Sequence, residues 1–152
     1  MEKCLRWCGT CHIPSPTFPS PQLSRIHGGS FILGSATGPG LDGGALAQST
    51  GSIVAVIQYR LGALGFLSPS GQSNLAVQDT ITALQFLQKV LPSFNGDTSK
   101  VTVAGQSSGA HMVRALLATP SASPLFAHAI LQSDPSVRCS VICRNYNSSH
   151  LV

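Results

Sequence analysis

The stretch that decides the fold is Val101-Thr102-Val103-Ala104-Gly105-Gln106-Ser107-Ser108-Gly109-Ala110. Its alternating and β-branched start predicts a strand over residues 100–104, and a helix is predicted from about 108 to 118. G-x-S-x-G therefore spans a strand-to-helix turn. A serine lifted onto such a turn presents its hydroxyl clear of the backbone, and glycines two residues either side leave room where a β-carbon would collide with neighbouring elements. The helix that follows points its first N–H groups toward the place where negative charge develops on a substrate. Taken without those flanks, the five residues are a Gly/Ser turn with Ser107 as helix cap. With them, Ser107 is a candidate nucleophile.

Working outward, Ile53-Val54-Ala55-Val56-Ile57 is a short, continuously apolar run, the pattern of a strand buried on both faces. A long helix follows at about 74–91, where Val77, Ile81, Leu84, Gln88 and Leu91 step by three or four and Pro92 stands just past the end. Asn95-Gly96-Asp97-Thr98 reads as a polar loop. A third strand is predicted over 129–132. Strand, helix, strand, helix, strand is the alternation of a parallel α/β sheet. Ahead of all this, Ile26-His27-Gly28-Gly29-Ser30-Phe31 is a Gly-rich loop whose backbone can turn its amides toward one point. His27 is expected to serve structurally, bonded to backbone.

Composition narrows the partners. Only 9% of the 152 residues are charged while 43% are hydrophobic, against roughly 25% charged in ordinary soluble domains. So little charge reads as the interior of something larger. The net charge of +4 comes from nine basic residues spread along the chain. They form no stripe that could track a phosphate backbone, so no nucleic-acid partner is expected. No apolar run approaches the roughly 20 residues of a membrane span, and the first residues show no apolar run typical of a signal peptide.

Five cysteines sit at the two ends, Cys4, Cys8 and Cys11 in front and Cys139 and Cys143 behind. The spacing C-x3-C-x2-C matches the cluster-binding signature of radical enzymes using S-adenosylmethionine, but those need a barrel of more than about 200 residues. These thiols are read as part of an irregular leader, and neither metal nor cofactor is expected.

Four blocks in order, His27 to Phe31, Gln58-Tyr59-Arg60-Leu61-Gly62-Ala63-Leu64-Gly65-Phe66-Leu67, Asn74-Leu75-Ala76-Val77-Gln78-Asp79 and Lys100 to Ala110, together with Leu125 to Ser133, resemble the type-B carboxylesterase/lipase family of the α/β-hydrolase superfamily. The resemblance covers about residues 25–135. It implies a partial α/β-hydrolase fold, a mostly parallel sheet flanked by helices with N- and C-terminal strands missing. It also implies Ser107 as the acyl-forming nucleophile, and the backbone N–H groups of Gly29, Ser30 and Ser108 as the oxyanion hole. The expected substrate is a small-molecule or lipid ester, and the family suggests a secreted protein.

The departures are as informative. Gln106 and Ser108 stand where the family usually has Glu and Ala; a backbone amide serves as well from Ser108. The family has an apolar strand before the Gly-rich loop, which Pro19-Ser20-Pro21-Gln22-Leu23-Ser24-Arg25 is not expected to supply. The chain thus divides into a Pro-rich irregular leader (1–24), the partial hydrolase domain (25–135) and an irregular tail (136–152). Since only 152 − 107 = 45 residues follow Ser107, the usual triad acid and histidine are expected to be absent. The readings are then a fragment of a carboxylic ester hydrolase, or an inactive remnant or interaction module of the same fold. An internal triad of Ser107, Asp134 and His150 has the right chain order, but the tail gives His150 nothing to hold it near Ser107.

Overall fold

In the computed structural model, the described residues are 8–12, 19–67, 71, 74–134 and 140–143, the first and last of these stretches by backbone alone. Strands β1 (Cys8–His12), β2 (Ser20–Ile26), β3 (Ile53–Ile57), β4 (Gly96–Gln106), β5 (His128–Gln132) and β6 (Ser140–Cys143) form one sheet in the order β1-β3-β2-β4-β5-β6. The inner pairings β3/β2, β2/β4 and β4/β5 are parallel, and β1 and β6 close the two sides antiparallel. Helices α1 (Gly44–Thr50), α2 (Gly62–Phe66), α3 (Leu75–Val90) and α4 (Ser108–Leu117) fill the connections. The predicted α/β-hydrolase arrangement is therefore present, with β3 on its predicted residues and α3 and α4 within a residue of their predicted bounds.

All five residues of β3 are buried. Ile53, Ala55 and Ile57 enter the core with Leu84 and Leu87 of α3 and Val113 and Leu116 of α4. The other face carries Val54, against which Gly43 lies at the start of α1. Helices thus cover both faces, which is what a parallel strand without polar alternation requires. The loop expected at 95–98 is shorter than that, since β4 begins at Gly96.

The main correction is β2. Residues 19–25 were expected to give no strand, yet Ser20–Ile26 lies between β3 and β4 in the middle of the sheet. Two physical reasons account for it. Pro21 falls at the register break between Ser20 and Gln22, where the ladder asks for no N–H. The polar side chains on the core face, Gln22 and Ser24, satisfy each other in part, Gln22 Nε2 donating to Ser24 Oγ at 2.6 Å. Gln22 Oε1 stays buried without a partner. Backbone pairing on both sides outweighs poor strand propensity here. Likewise β1 places a strand within the segment read as an irregular leader.

Among the described residues no helix is long and apolar enough to cross a membrane, and no three His, Cys, Asp or Glu side chains gather as a metal site would need. The leader Cys4 and the tail residues Cys139 and His150 lie outside the described residues, and of Cys8, Cys11 and Cys143 only the backbone is described.

Candidate active site

Ser107 stands between the end of β4 and the start of α4 with φ 56° and ψ −123°, a conformation that side chains adopt only under constraint. The constraint is visible. Ser107 N donates to Gln132 O at 2.9 Å, and His111 N donates to Ser107 O at 3.1 Å, so the turn is tied to the end of β5 and to the first turn of α4. The flanking glycines have measurable reasons. A β-carbon on Gly105 would stand 2.3 Å from Gly109 O, and one on Gly109 2.3 Å from Ile26 O. Turn, helix and β2 pack backbone against backbone.

The Gly-rich loop meets this turn directly. A β-carbon on Gly28 would be 2.8 Å from Gln106 O and 3.5 Å from Ser107 Cβ. Beyond it Gly29 (φ 124°), Ser30 (φ 53°) and Phe31 (φ 63°) all have positive φ, and Ile32 N and Leu33 N both donate to Gly29 O. The amides of Gly29 and Ser30 donate to no backbone carbonyl among the described residues. Ser108 is the first residue of α4 and is buried; helix geometry leaves its amide without an intrahelical acceptor.

His27 is held as expected. Its Nδ1 donates to Gly28 O at 2.9 Å, its ring stacks on Tyr59 with centroids 4.6 Å apart, and Nε2 is a buried acceptor without a partner among the described residues. Tyr59 OH donates to His27 O at 2.9 Å. Burial pushes the Tyr59 phenol above its ordinary value, the Ser108 hydroxyl beside it opposing the shift more weakly.

Sequence reasoning missed what block 58–62 does. Three of its residues hold the loop: Gln58 Oε1 accepts from Ala36 N at 2.8 Å, Tyr59 bonds His27, and Gly62 N donates to Phe31 O at 2.7 Å. Arg60 instead reaches α3, its Nε and Nη2 each 2.7 Å from Asp79 and its own amide 3.1 Å from Asp79 Oδ2. The sequence signals were its place in the family pattern and its position directly after the most buried strand, and neither names the partners. Phe31 is then packed edge-on against Phe66, centroids 5.1 Å apart, and against His111 at 6.0 Å. Next to these, Ile32, Leu33 and Leu64 are exposed.

Chain order made Asp134 a candidate acid for an internal triad with His150, but His150 lies outside the described residues, and among those residues Asp134 meets Arg114 and His111. Asp134 has a wholly buried side chain; Oδ2 accepts from Arg114 Nη2 at 2.5 Å and Nε at 3.0 Å, and Oδ1 faces His111 Nδ1 at 3.4 Å. Both partners lie on α4.

A sequence model of the Carboxylesterase family matches residues 14–149. The chain is 41% identical over 128 residues to a probable N-octanoylanthranilate hydrolase of Rhodococcus erythropolis, covering 83% of this chain and 28% of that protein. It is 39% identical over 137 residues to the para-nitrobenzyl esterase of Bacillus subtilis, covering 85% and 28%. To carboxylesterase 3B of Mus musculus it is 39% identical over 134 residues, covering 83% and 23%. The chain spans about a quarter of the length of these curated relatives.

Proposed function

The chain belongs to the carboxylesterase family, and from that premise we propose that it carries the nucleophile and oxyanion parts of a carboxylic ester hydrolase. The observation that carries the reading is the conformation of Ser107, φ 56° and ψ −123° at the strand-to-helix turn with Gly28 packed against its β-carbon. A strained serine held by two hydrogen bonds is what the exposed nucleophile of such a turn calls for.

On this reading Ser107 Oγ attacks the ester carbonyl carbon while its proton passes to a base, and the carbonyl electron pair moves onto oxygen. The amides of Gly29, Ser30 and Ser108 donate to that oxyanion, at the positive end of α4. Collapse expels the alcohol, taking up the proton, and leaves an acyl-serine; water then releases the carboxylic acid and restores Ser107. We assign the proton to no described residue, since His27 is sealed under Tyr59 and His111 faces Asp134. The exposed Ile32, Leu33 and Leu64 near Phe31 favour an ester with an apolar portion, small-molecule or lipid, in keeping with relatives named for N-octanoylanthranilate and para-nitrobenzyl groups.

The test is reaction with a fluorophosphonate probe, mapped by peptide mass spectrometry. The expected adduct is on Ser107 and is lost in Ser107→Ala. Labelling that persists in the variant excludes Ser107, and none in the folded protein favours an inactive module of the same fold.

A further inference from the structure

We propose that Asp134 is a positioning residue, whose buried carboxylate holds His111 and Arg114 of α4 and through them fixes both the turn of Ser107 and the loop of Phe31. The proposal rests on the reading of Ser107 as nucleophile for its functional meaning, though not for its geometry.

Three successive residues at the exit of β5 grip the elbow. Gln132 O accepts the Ser107 amide at 2.9 Å. Ser133 has φ 50°, which turns the chain out of the strand, and Asp134 follows with a fully buried side chain. A carboxylate in that position is costly unless charged partners meet it. Arg114 does, donating from Nη2 and Nε to Oδ2, and the His111 ring lies alongside, its Nδ1 3.4 Å from Oδ1 though outside hydrogen-bond geometry.

His111 and Arg114 are three residues apart on α4, so one carboxylate meets adjoining positions on one side of the helix. The helix is held sideways against β5, and the turn cannot slide along it. His111 also meets Phe31 edge-on with centroids 6.0 Å apart, which extends the brace from β5 through α4 to the loop bearing Gly29 and Ser30. Because small displacements of a nucleophile cost about a hundredfold in rate, a brace at this point sets the reactivity of Ser107 without touching substrate.

The experiment compares wild type, Asp134→Asn, Arg114→Lys and Ser107→Ala by hydrogen–deuterium exchange and by fluorophosphonate inactivation kinetics. In Asp134→Asn, exchange over residues 107–113 is expected to quicken about tenfold while residues 53–57 of β3 keep their protection. The maximal inactivation rate is expected to fall about tenfold with the probe's half-saturating concentration unchanged. Arg114→Lys, keeping the charge without the fork, should fall between the two. Unchanged exchange at 107–113, or an equal rise at 53–57, overturns the brace. Should Asp134→Asn not fold, His111→Gln and Arg114→Lys, each sparing one partner of the carboxylate, decide it by the same two comparisons. Faster local exchange in a protein that never labels at Ser107 supports the brace and removes the nucleophile reading instead.

Discussion

A β-carbon on Gly109 would stand 2.3 Å from the carbonyl oxygen of Ile26 and 2.9 Å from that of His27. Neither oxygen is free to retreat, because Ile26 is paired with Ile57 on one side and Gly105 on the other, and the His27 carbonyl accepts from Tyr59 OH. Gly109→Ala must therefore lift α4 from the sheet. The expected loss is about 3 kcal/mol, at the upper end for overpacking, read from urea unfolding. A shift below about 0.5 kcal/mol, the size of an ordinary surface substitution, would show that helix and strand have slack here.

Ser107 makes the opposite case, a residue whose own side chain is the strained part. At φ 56° and ψ −123° glycine sits without the cost of about 1–3 kcal/mol that a side chain incurs. Ser107→Gly is expected to raise stability by about 1 kcal/mol after the entropy of the added glycine is subtracted, and to abolish probe labelling. Ser107→Ala keeps the β-carbon and should leave stability close to wild type. Equal midpoints for the glycine and alanine variants would mean that the turn stores no strain.

Tyr59 closes the loop from above, so Tyr59→Phe tests whether His27 needs its carbonyl bonded. The phenol is buried and donates to His27 O at 2.9 Å; losing it leaves that oxygen unpaired, at a cost of about 1–3 kcal/mol. The pH dependence has a definite sign. Burial raises the phenol's folded value above the ordinary 10.0, so the folded state keeps its proton longer than the unfolded chain. Stability from this group is full below 10.0 and is lost as pH rises from there through the raised value. Wild type should weaken in that alkaline window, and Tyr59→Phe should lack this component. A variant with the same alkaline slope as wild type would assign the loss elsewhere.

What could be read in the sequence were the parts whose cause is local. Ile53–Ile57 announces itself because every residue is apolar, and the turn at Ser107 because its glycines have fixed spacing around it. The strand Ser20–Ile26 was illegible for the same reason inverted: Pro21, Gln22 and Ser24 argue against a strand, and only pairing with β3 and β4, remote in sequence, makes it one. Gln58, Tyr59 and Gly62 were legible as a family block but not as supports of the loop, since their partners lie 22 to 32 residues away. Asp134 could be weighed as a triad acid from order alone; that it holds Arg114 and faces His111 depends on how α4 lies on β5.

The acid side of the stability profile should follow Asp97, the second residue of β4. Its carboxyl is held below the usual value of 3.8, first by the Ser99 hydroxyl, next by the Ser99 amide, and then by Lys100. The Ser99 hydroxyl donates at 2.6 Å and the amide at 2.9 Å, both to Oδ1, and Lys100 Nζ lies 3.2 Å from Oδ2. A depressed carboxyl stabilises the fold above its unfolded value, and that contribution disappears as pH falls through the lower folded value. Wild type and Asp97→Asn should therefore differ in melting temperature near pH 6 and converge as pH falls below 3.8 through the lower folded value. The order of causes gives a sharper expectation. Ser99→Ala, which removes the leading one, should narrow the gap more than Lys100→Met, whose charge is solvated and screened. If Lys100→Met erased the difference and Ser99→Ala left it intact, the carboxyl would be held by charge rather than by hydrogen bonds.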